Sequence, residues 1–380
     1  MSWMLAIAGV GALAWLWLLA LRGGFWLCAE RDDRDVPAEP VAWPAVVAVV
    51  PARNEADVVG QAMRSLRAQD YPGAFRIVLL DDASDDGTAA AARSAGGTHP
   101  LEIIAGAPLV RGWTGKLWAQ SQGVARAGEA DYLLLTDADI FHEKGNLRRL
   151  VSRAEAKGLV LTSLMARLTV RSGWERVLIP AFVYFFQMLF PFAWVNDKRR
   201  KTAAAAGGCM LVRREALAAA GGLAAIKGEI IDDCALARLL KARGPIWLGL
   251  TGRAQSLRPY ASLGEIARMV ARSAYAQLGY SPVLLAGTLA GMAIIFAAPP
   301  LLVMFAHGPA RWLALAVWIV MGISMQPMLR LYRLWGLLGA ALPLAGALYG
   351  AFTLMSAVQS WRGAGGQWKG RAQDAVGLAS

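Results

Sequence analysis

Carboxylates cluster wherever an apolar run of this 380-residue chain comes to an end. Thr136-Asp137-Ala138-Asp139 closes the run 131–136. Two carboxylates two residues apart share a face in a regular strand, and at a strand terminus the turning backbone lets both reach one cation. Oxygen donors of this kind suit a hard ion, Mg²⁺ or Mn²⁺, that shares its shell with a phosphate. Alone, the pattern reads equally well as a solvated turn. It is not alone. Asp81-Asp82-Ala83-Ser84-Asp85-Asp86 closes another apolar run, where acidic groups can accept from a base N–H or from ribose hydroxyls. There Ser84 or Asp85 could instead cap the next helix. Pro51-Ala52-Arg53-Asn54-Glu55 ends a third run, and Gly115-Lys116 offers an ammonium for a phosphate without a Walker pattern around it. Gly207-Gly208 permits close backbone approach to a ligand. Asp232-Asp233 opens a helical segment, as partners of its dipole or with one of them a general base.

The elements that must hold these groups follow from periodicity. AVVAVV (45–50), RIVLLDD (76–82) and DYLLLTDAD (131–139) read as buried strands. After the first, Val58, Val59, Ala62, Met63 and Leu66 recur at helical spacing. Strands alternating with helices predict an α/β fold with a mostly parallel sheet, and such sheets bind ligands at the carboxyl ends of their strands. The acidic clusters lie at two such ends.

The rest of the chain is unusually apolar: 56% hydrophobic and 17% charged, against about 25% charged in ordinary globular chains. Between Ser273 and Trp361 the charged side chains are Arg311, Arg330 and Arg333. The runs 3–21, 283–305, 312–329 and 334–358 are long and apolar enough to span a bilayer. Arg22, Arg31 and Arg34 after the first run put the following domain in the cytoplasm by the positive-inside rule. If all three later runs cross, Arg330 and Arg333 are cytoplasmic and the tail with Arg362, Lys369 and Arg371 is outside, against that rule. Residues 177–195, with Pro180, Gln187 and Pro191, read as an interfacial segment whose basic end, Asp197-Lys198-Arg199-Arg200-Lys201, meets lipid headgroups; a buried core helix is the competing reading. The net charge of +12 comes without any nucleic-acid-binding signature, so no nucleic-acid partner is expected. Cys28, Cys209 and Cys234 have no metal-ligand spacing, and His99, His142 and His307 stand apart, so zinc chemistry is unsupported. The expected organisation is an anchor at 1–24, a catalytic domain at 40–272 including 177–195, a membrane region at 280–360 and a basic tail at 361–380.

In their order, VVPARNEADVV (49–59), LLDDASDDGT (79–88), GKLWAQSQGV (115–124), LTDAD (135–139), GGCMLVRREAL (207–217) and IIDDCALARLLKARG (230–244) resemble glycosyltransferase family 2. That resemblance implies the nucleotide-sugar-binding fold called GT-A, flanked here by N- and C-terminal transmembrane helices. It implies a nucleotide-diphosphate-sugar donor, with a UDP-linked sugar as the expectation, and Mg²⁺ or Mn²⁺ as cofactor. Glu55 and Asp82 would contact the nucleoside, with Pro51, Arg53, Lys116, Asp137 and Arg272 also on the donor side. Asp137 and Asp139 would be the metal motif, Asp139 the more direct ligand. Asp233 would be the base that removes the acceptor hydroxyl proton, at an ordinary carboxylate pKa, with Gly207, Gly208 and Asp232 on the acceptor side. Processive relatives carry a Gln/Arg-x-x-Arg-Trp motif; the nearest segment here, Met269-Val270-Ala271-Arg272-Ser273, lacks its leading polar residue and its Trp. Single sugar transfer is therefore expected. Residues 180–211 and 271–282 are similar to those of the hopanoid-associated members, which implies a triterpenoid lipid acceptor at a bacterial-type inner membrane with the catalytic domain facing the cytoplasm. The alternatives are a polyprenyl-phosphate glycosyltransferase or an inactive nucleotide-binding membrane scaffold.

Overall fold

The computed structural model describes residues 2–363, 367–368 and 371–372, so most of the expected tail at 361–380 lies outside the described residues. The chain opens on α1 (Ser2–Leu21) and then alternates β1 (Val46–Ala52), α2 (Ala56–Arg67), β2 (Phe75–Asp81), α3 (Thr88–Arg93), β3 (Leu101–Ala105) and α4 (Gly115–Ala125). Next come β4 (Tyr132–Thr136), β5 (Ile140–His142), α5 (Asn146–Lys157), β6 (Leu161–Arg167), α6 (Gly173–Leu189), α7 (Phe192–Asn196), β7 (Cys209–Arg213), α8 (Arg214–Ala219), α9 (Asp232–Lys241) and β8 (Ile246–Ser256). From Leu263 to Trp361 the chain is helical: α10 (Leu263–Ala271), α11 (Ala274–Gln277), α12 (Pro282–Met292), α13 (Ala298–Phe305), α14 (Pro309–Ser324), α15 (Gln326–Leu331) and α16 (Leu342–Trp361). These elements fall into two compact units.

One unit comprises Glu30–Thr169 and Trp194–Arg258. It is built on an eight-stranded sheet in the order β3-β2-β1-β4-β7-β6-β8-β5. Every residue of β1, VVAVVPA, is buried, as expected for a strand covered on both faces. β1 pairs in parallel with β2 on one side and β4 on the other. The chain order thus reverses beside β1, the place where open α/β sheets leave a crevice at their carboxyl ends. β7 is antiparallel to β4, with Thr136 opposite Cys209. That reversed direction brings the residues entering β7 to the end where β4 leaves, and so joins two distant sequence motifs. β5 pairs antiparallel with β8, Ile140 opposite Ser256. Helix α4 lies close on β1: a Cβ on Gly123 would come within 2.5 Å of Val49 Cγ1.

The other unit comprises Met1–Ala29, Val170–Ala193 and Pro259–Gly365. Among the described residues, four helical segments are long and apolar enough to cross a membrane: Trp3–Leu21, Pro282–Phe305, Pro309–Leu331 and Gly336–Trp361. Small residues let them pack closely, as where Ala8 meets Leu302, Ala306, Ala310 and Ala314. A π-helical turn at Ala293–Ala297 interrupts the second segment, and the indole of Trp15 donates to the Ile295 carbonyl at 3.0 Å. Helix α6 belongs to this unit. Ser172 and Glu175 form a capping box at its start, and the Arg22 guanidinium donates to the Met188 and Leu189 carbonyls at its end. Leu178, Ile179, Ala181, Val183, Tyr184 and Gln187 of α6 are buried. The stretch 177–195 is thus divided between α6 and α7, and α6 buries residues on several of its sides. Its polar groups are matched: Tyr184 Oη pairs with Ser324 Oγ at 2.7 Å, and Tyr349 Oη donates to the Leu178 carbonyl.

Candidate active site

Four side chains from three elements meet beyond the carboxyl end of β4. Lys116 stands in the first turn of α4, whose N-cap Thr114 accepts from the Leu117 N–H. A cation there opposes the helix dipole, so something stronger holds it. Its Nζ lies 2.9 Å from Asp137 Oδ1 and 3.2 Å from Asp232 Oδ2. Burial alone would lower the lysine pKa, but Asp137, Asp232 and Asp233 together raise it above its ordinary value. The ammonium therefore stays charged.

Asp233 is fixed from two sides. Its Oδ2 accepts the Gly207 N–H at 2.9 Å and its Oδ1 accepts the Cys234 N–H at 2.7 Å. Gly207 packs tightly against the cluster, since a Cβ there would sit 3.2 Å from Lys116 Nζ and 3.4 Å from Asp233 Oδ2. The expected ordinary pKa is corrected: burial, and then the negative charge of Asp232, push the Asp233 carboxyl up to about 6, against the lowering pull of Lys116 and the two N–H donors. Asp137 is also raised, by burial first and by Asp139, with Lys116 opposing.

Asp139 leaves β4 toward the end of β8. Its carbonyl accepts the Leu257 N–H at 2.8 Å, and its Oδ2 lies 3.2 Å from Ser256 Oγ and 3.4 Å from Arg258 Nε. The same guanidinium pairs through Nη2 with Glu55. Sequence reasoning missed Ser256 and Arg258; the apolar run 246–250 ahead of them was the available signal for another strand with a functional end.

The loops after β1 and β2 are laced together. Arg53 Nη1 donates to the Asp82 carbonyl at 2.5 Å and lies 3.6 Å from its Oδ2, which is buried. Asn54, at φ 51°, donates its N–H to Ser84 Oγ and accepts from the Asp85 N–H. Glu55 donates its N–H to Thr88 Oγ1. The helix-capping alternative for Ser84 and Asp85 gives way to this lacing: the N-cap of α3 is Gly87, and Asp86 takes the Thr88 N–H. Pro51 is buried within β1, opposite Leu80 of β2. Gly208 accepts from Thr136 Oγ1 at 2.7 Å, and Thr136 pairs with His142 Nε2. Asn146 Nδ2 faces His142 Nδ1, so the ring is a neutral Nε2–H donor; burial pushes its pKa down to about 4. This histidine braces the site from behind. Arg272 stands in the helical unit as the C-cap of α10.

Among the described residues no three acidic, histidine or cysteine side chains form a ready metal cage. The donor chemistry nevertheless suits Mg²⁺ or Mn²⁺, which take only one or two carboxylates beside substrate phosphates. Glu55, Asp82, Asp137, Asp139, Asp232 and Asp233 outnumber the cations Arg53, Lys116 and Arg258 paired with them. A further positive charge is chemically welcome there.

Residues 47–221 match Glycosyl transferase family 2. A 4,4'-diaponeurosporenoate glycosyltransferase of Staphylococcus aureus is 31% identical over 115 residues, covering 30% of this chain and 29% of that protein. The match thus spans less than a third of that relative's length. A mannosyltransferase from Pyrobaculum calidifontis, solved with GDP-Man and Mn²⁺, superposes with a TM-score of 0.58 at 20% identity, over 94% of this chain and 99% of that one. That likeness establishes a GT-A-like fold. A glucosyl-3-phosphoglycerate synthase from Mycobacterium tuberculosis, solved with Mn²⁺ and UDP, is more distant, with a TM-score of 0.41 at 18% identity over 62% of this chain and 79% of that one.

Proposed function

We propose that this chain, which carries a glycosyl transferase family 2 domain at residues 47–221, is a membrane-bound inverting glycosyltransferase that moves one sugar from a nucleoside-diphosphate donor to a lipid hydroxyl. The observation that carries the reading is the meeting of Lys116, Asp137, Asp232 and Asp233, drawn from three separate elements, at the carboxyl end of β4.

In this reading Asp233 takes the acceptor hydroxyl proton as the new C–O bond forms at the anomeric carbon. The bond to the diphosphate oxygen breaks on the opposite face, and its electron pair leaves with the nucleoside diphosphate. Asp137 and Asp139 would hold Mg²⁺ or Mn²⁺, which when bound offsets charge on the leaving group. Lys116 neutralises Asp137 and Asp232 beside the base, and the Gly207 and Cys234 N–H groups fix the Asp233 carboxylate. Glu55, Asp82, Arg53 and Pro51 border the nucleoside side, with Arg272 assigned to the diphosphate by family resemblance. Gly207, Gly208 and Asp232 border the acceptor.

The acceptor assignment draws on three supports. Four segments of the chain are long and apolar enough to cross a bilayer. The Staphylococcus aureus relative is named for a carotenoid acid. Residues 180–211 and 271–282 are similar to hopanoid-associated members of the family. Together they favour a hopanoid-type triterpenoid at a bacterial inner membrane, with the catalytic unit in the cytoplasm. Lipid extracts compared by mass spectrometry between cells with and without the gene test it. The expected result is a polar triterpenoid heavier by one glycosyl unit that disappears with the gene. Loss of a glycosylated polyprenyl phosphate instead would replace this acceptor, and an unchanged lipid profile in expressing cells would overturn the lipid reading.

A further inference from the structure

The most unusual pairing in the site is that one guanidinium, Arg258, holds two carboxylates from different strand ends. Nη2 pairs with Glu55, which follows β1, and Nε lies 3.4 Å from Oδ2 of Asp139, which follows β4. Both acids are well shielded, with side chains 11% and 17% exposed, against 35% for Arg258. Ser256 Oγ steadies the same Asp139 oxygen at 3.2 Å, and the Leu257 N–H holds the Asp139 carbonyl. Arg258 itself is anchored through its carbonyl, which accepts from Thr169 Oγ1 at 2.9 Å. Its backbone is thus held, and its side chain is the most exposed of the three.

We propose that Arg258 is a resident counter-cation that the donor complex must displace, and that by serving Glu55 and Asp139 together it couples nucleoside binding to metal binding. This rests on the function proposed above, in which Glu55 faces the nucleoside and Asp139 the metal. A partly buried carboxylate holds a cation or suffers a desolvation penalty, so neither acid is left bare. A divalent ion entering at Asp139 takes over that oxygen and repels the guanidinium. Once Arg258 has left Asp139, its hold on Glu55 is weaker, and Glu55 becomes available to accept from a nucleoside. The first ligand to bind bears the whole displacement and the second bears little of it. Positive coupling follows without direct contact between them, and it is reciprocal by linkage. Lys116 cannot play this part, because its partners Asp137 and Asp232 both lie on the metal and acceptor side.

The test measures Mn²⁺ binding by electron paramagnetic resonance to the full chain in detergent micelles, as wild type, Arg258→Gln and Arg258→Lys. Each is titrated alone and with UDP, GDP, uridine or guanosine. Nucleosides matter because they carry no phosphate through which the metal could contact them. Removing the competing cation should tighten Mn²⁺ binding in Arg258→Gln by roughly two- to fivefold, the scale of a partly exposed ion pair. In wild type the preferred nucleoside should raise Mn²⁺ affinity, and in Arg258→Gln that enhancement should vanish. Arg258→Lys, which keeps the charge without the fork, should retain the weak Mn²⁺ binding and lose most of the coupling. Unchanged or weaker Mn²⁺ binding in a folded Arg258→Gln, judged by its far-ultraviolet dichroism, would overturn the proposal, as would coupling that survives the substitution. If wild type binds neither nucleoside diphosphate in the presence of Mn²⁺, the donor reading itself fails. Normal diphosphate binding with no effect of Arg258→Gln overturns the displacement idea alone.

Discussion

At the scale of single residues, the decisive quantity is the ionisation of Asp233. Burial and the neighbouring Asp232 raise its carboxyl to about 6, so below that pH the group is protonated and cannot accept a proton. The expected profile of kcat/KM is therefore flat at neutral pH and falls tenfold per unit as pH drops through about 6. Stopped or continuous transfer assays across pH 5–8 check this, and a limb centred near 4 would remove the electrostatic assignment. Asp233→Asn should lower kcat by about 10²–10⁴-fold and abolish that limb, while binding of the nucleotide sugar is retained. Asp232 and Asp233 were legible in the sequence as acids opening a helix, a pattern that equally suits simple dipole partners. Their inequality was not legible. Asp232 faces Lys116, whereas Asp233 takes two backbone N–H groups, and only the approach of β7 supplies the Gly207 donor.

At the scale of elements, α4 has to lie close on β1 for Lys116 to reach the carboxylates. Gly123 permits this, because the side chain that its replacement would meet belongs to Val49, fully buried in the central strand. Gly123→Ala gains about 1 kcal/mol in helix propensity, yet its methyl needs space that a packed strand cannot yield, at about 1–3 kcal/mol. The expected net effect is a lower unfolding midpoint together with weaker donor binding, as Lys116 moves with the helix. Adding Val49→Ala should recover part of both, and additive losses in thermal melts of the double variant would refute the close-approach explanation. The alternation of strands and helices from 45 to 139 was visible in periodicity; β1 and β2 lie within two residues of the apolar runs that announced them, and β4 stops at Thr136, three residues short of its run. β8 was passed over because its later residues, Thr251 to Ser256, break the apolar run, so the strand end carrying Ser256 and Arg258 went unseen.

At the scale of the whole molecule, the four long apolar segments among the described residues have the length and composition to cross a bilayer. The proposed orientation, with each segment crossing once, is tested by its prediction that the turn at His307 faces outward and that at Arg330 inward. Cys28, Cys209 and Cys234 are all buried, so introduced thiols report with little background. His307→Cys should react with a membrane-impermeant maleimide on intact spheroplasts, and Arg330→Cys only after permeabilisation. Labelling of both positions from the same side would mean that the segment between them is re-entrant.

The amino-acid order alone determined which chemistry is available and where along the chain it lies: carboxylates at strand ends, a lysine opening a helix, and apolar segments of bilayer length. Local periodicity and composition carry that information, since each signal is complete within a dozen residues. What the tertiary structure decided is which of those groups share a charge. The pairing of Lys116 with Asp137 and Asp232, the Gly207 clasp on Asp233 and the Arg258 bridge from Glu55 to Asp139 each join residues from 21 to 203 positions apart. Such contacts depend on strand order and direction, above all on β7 running against β4, and no local pattern encodes that choice.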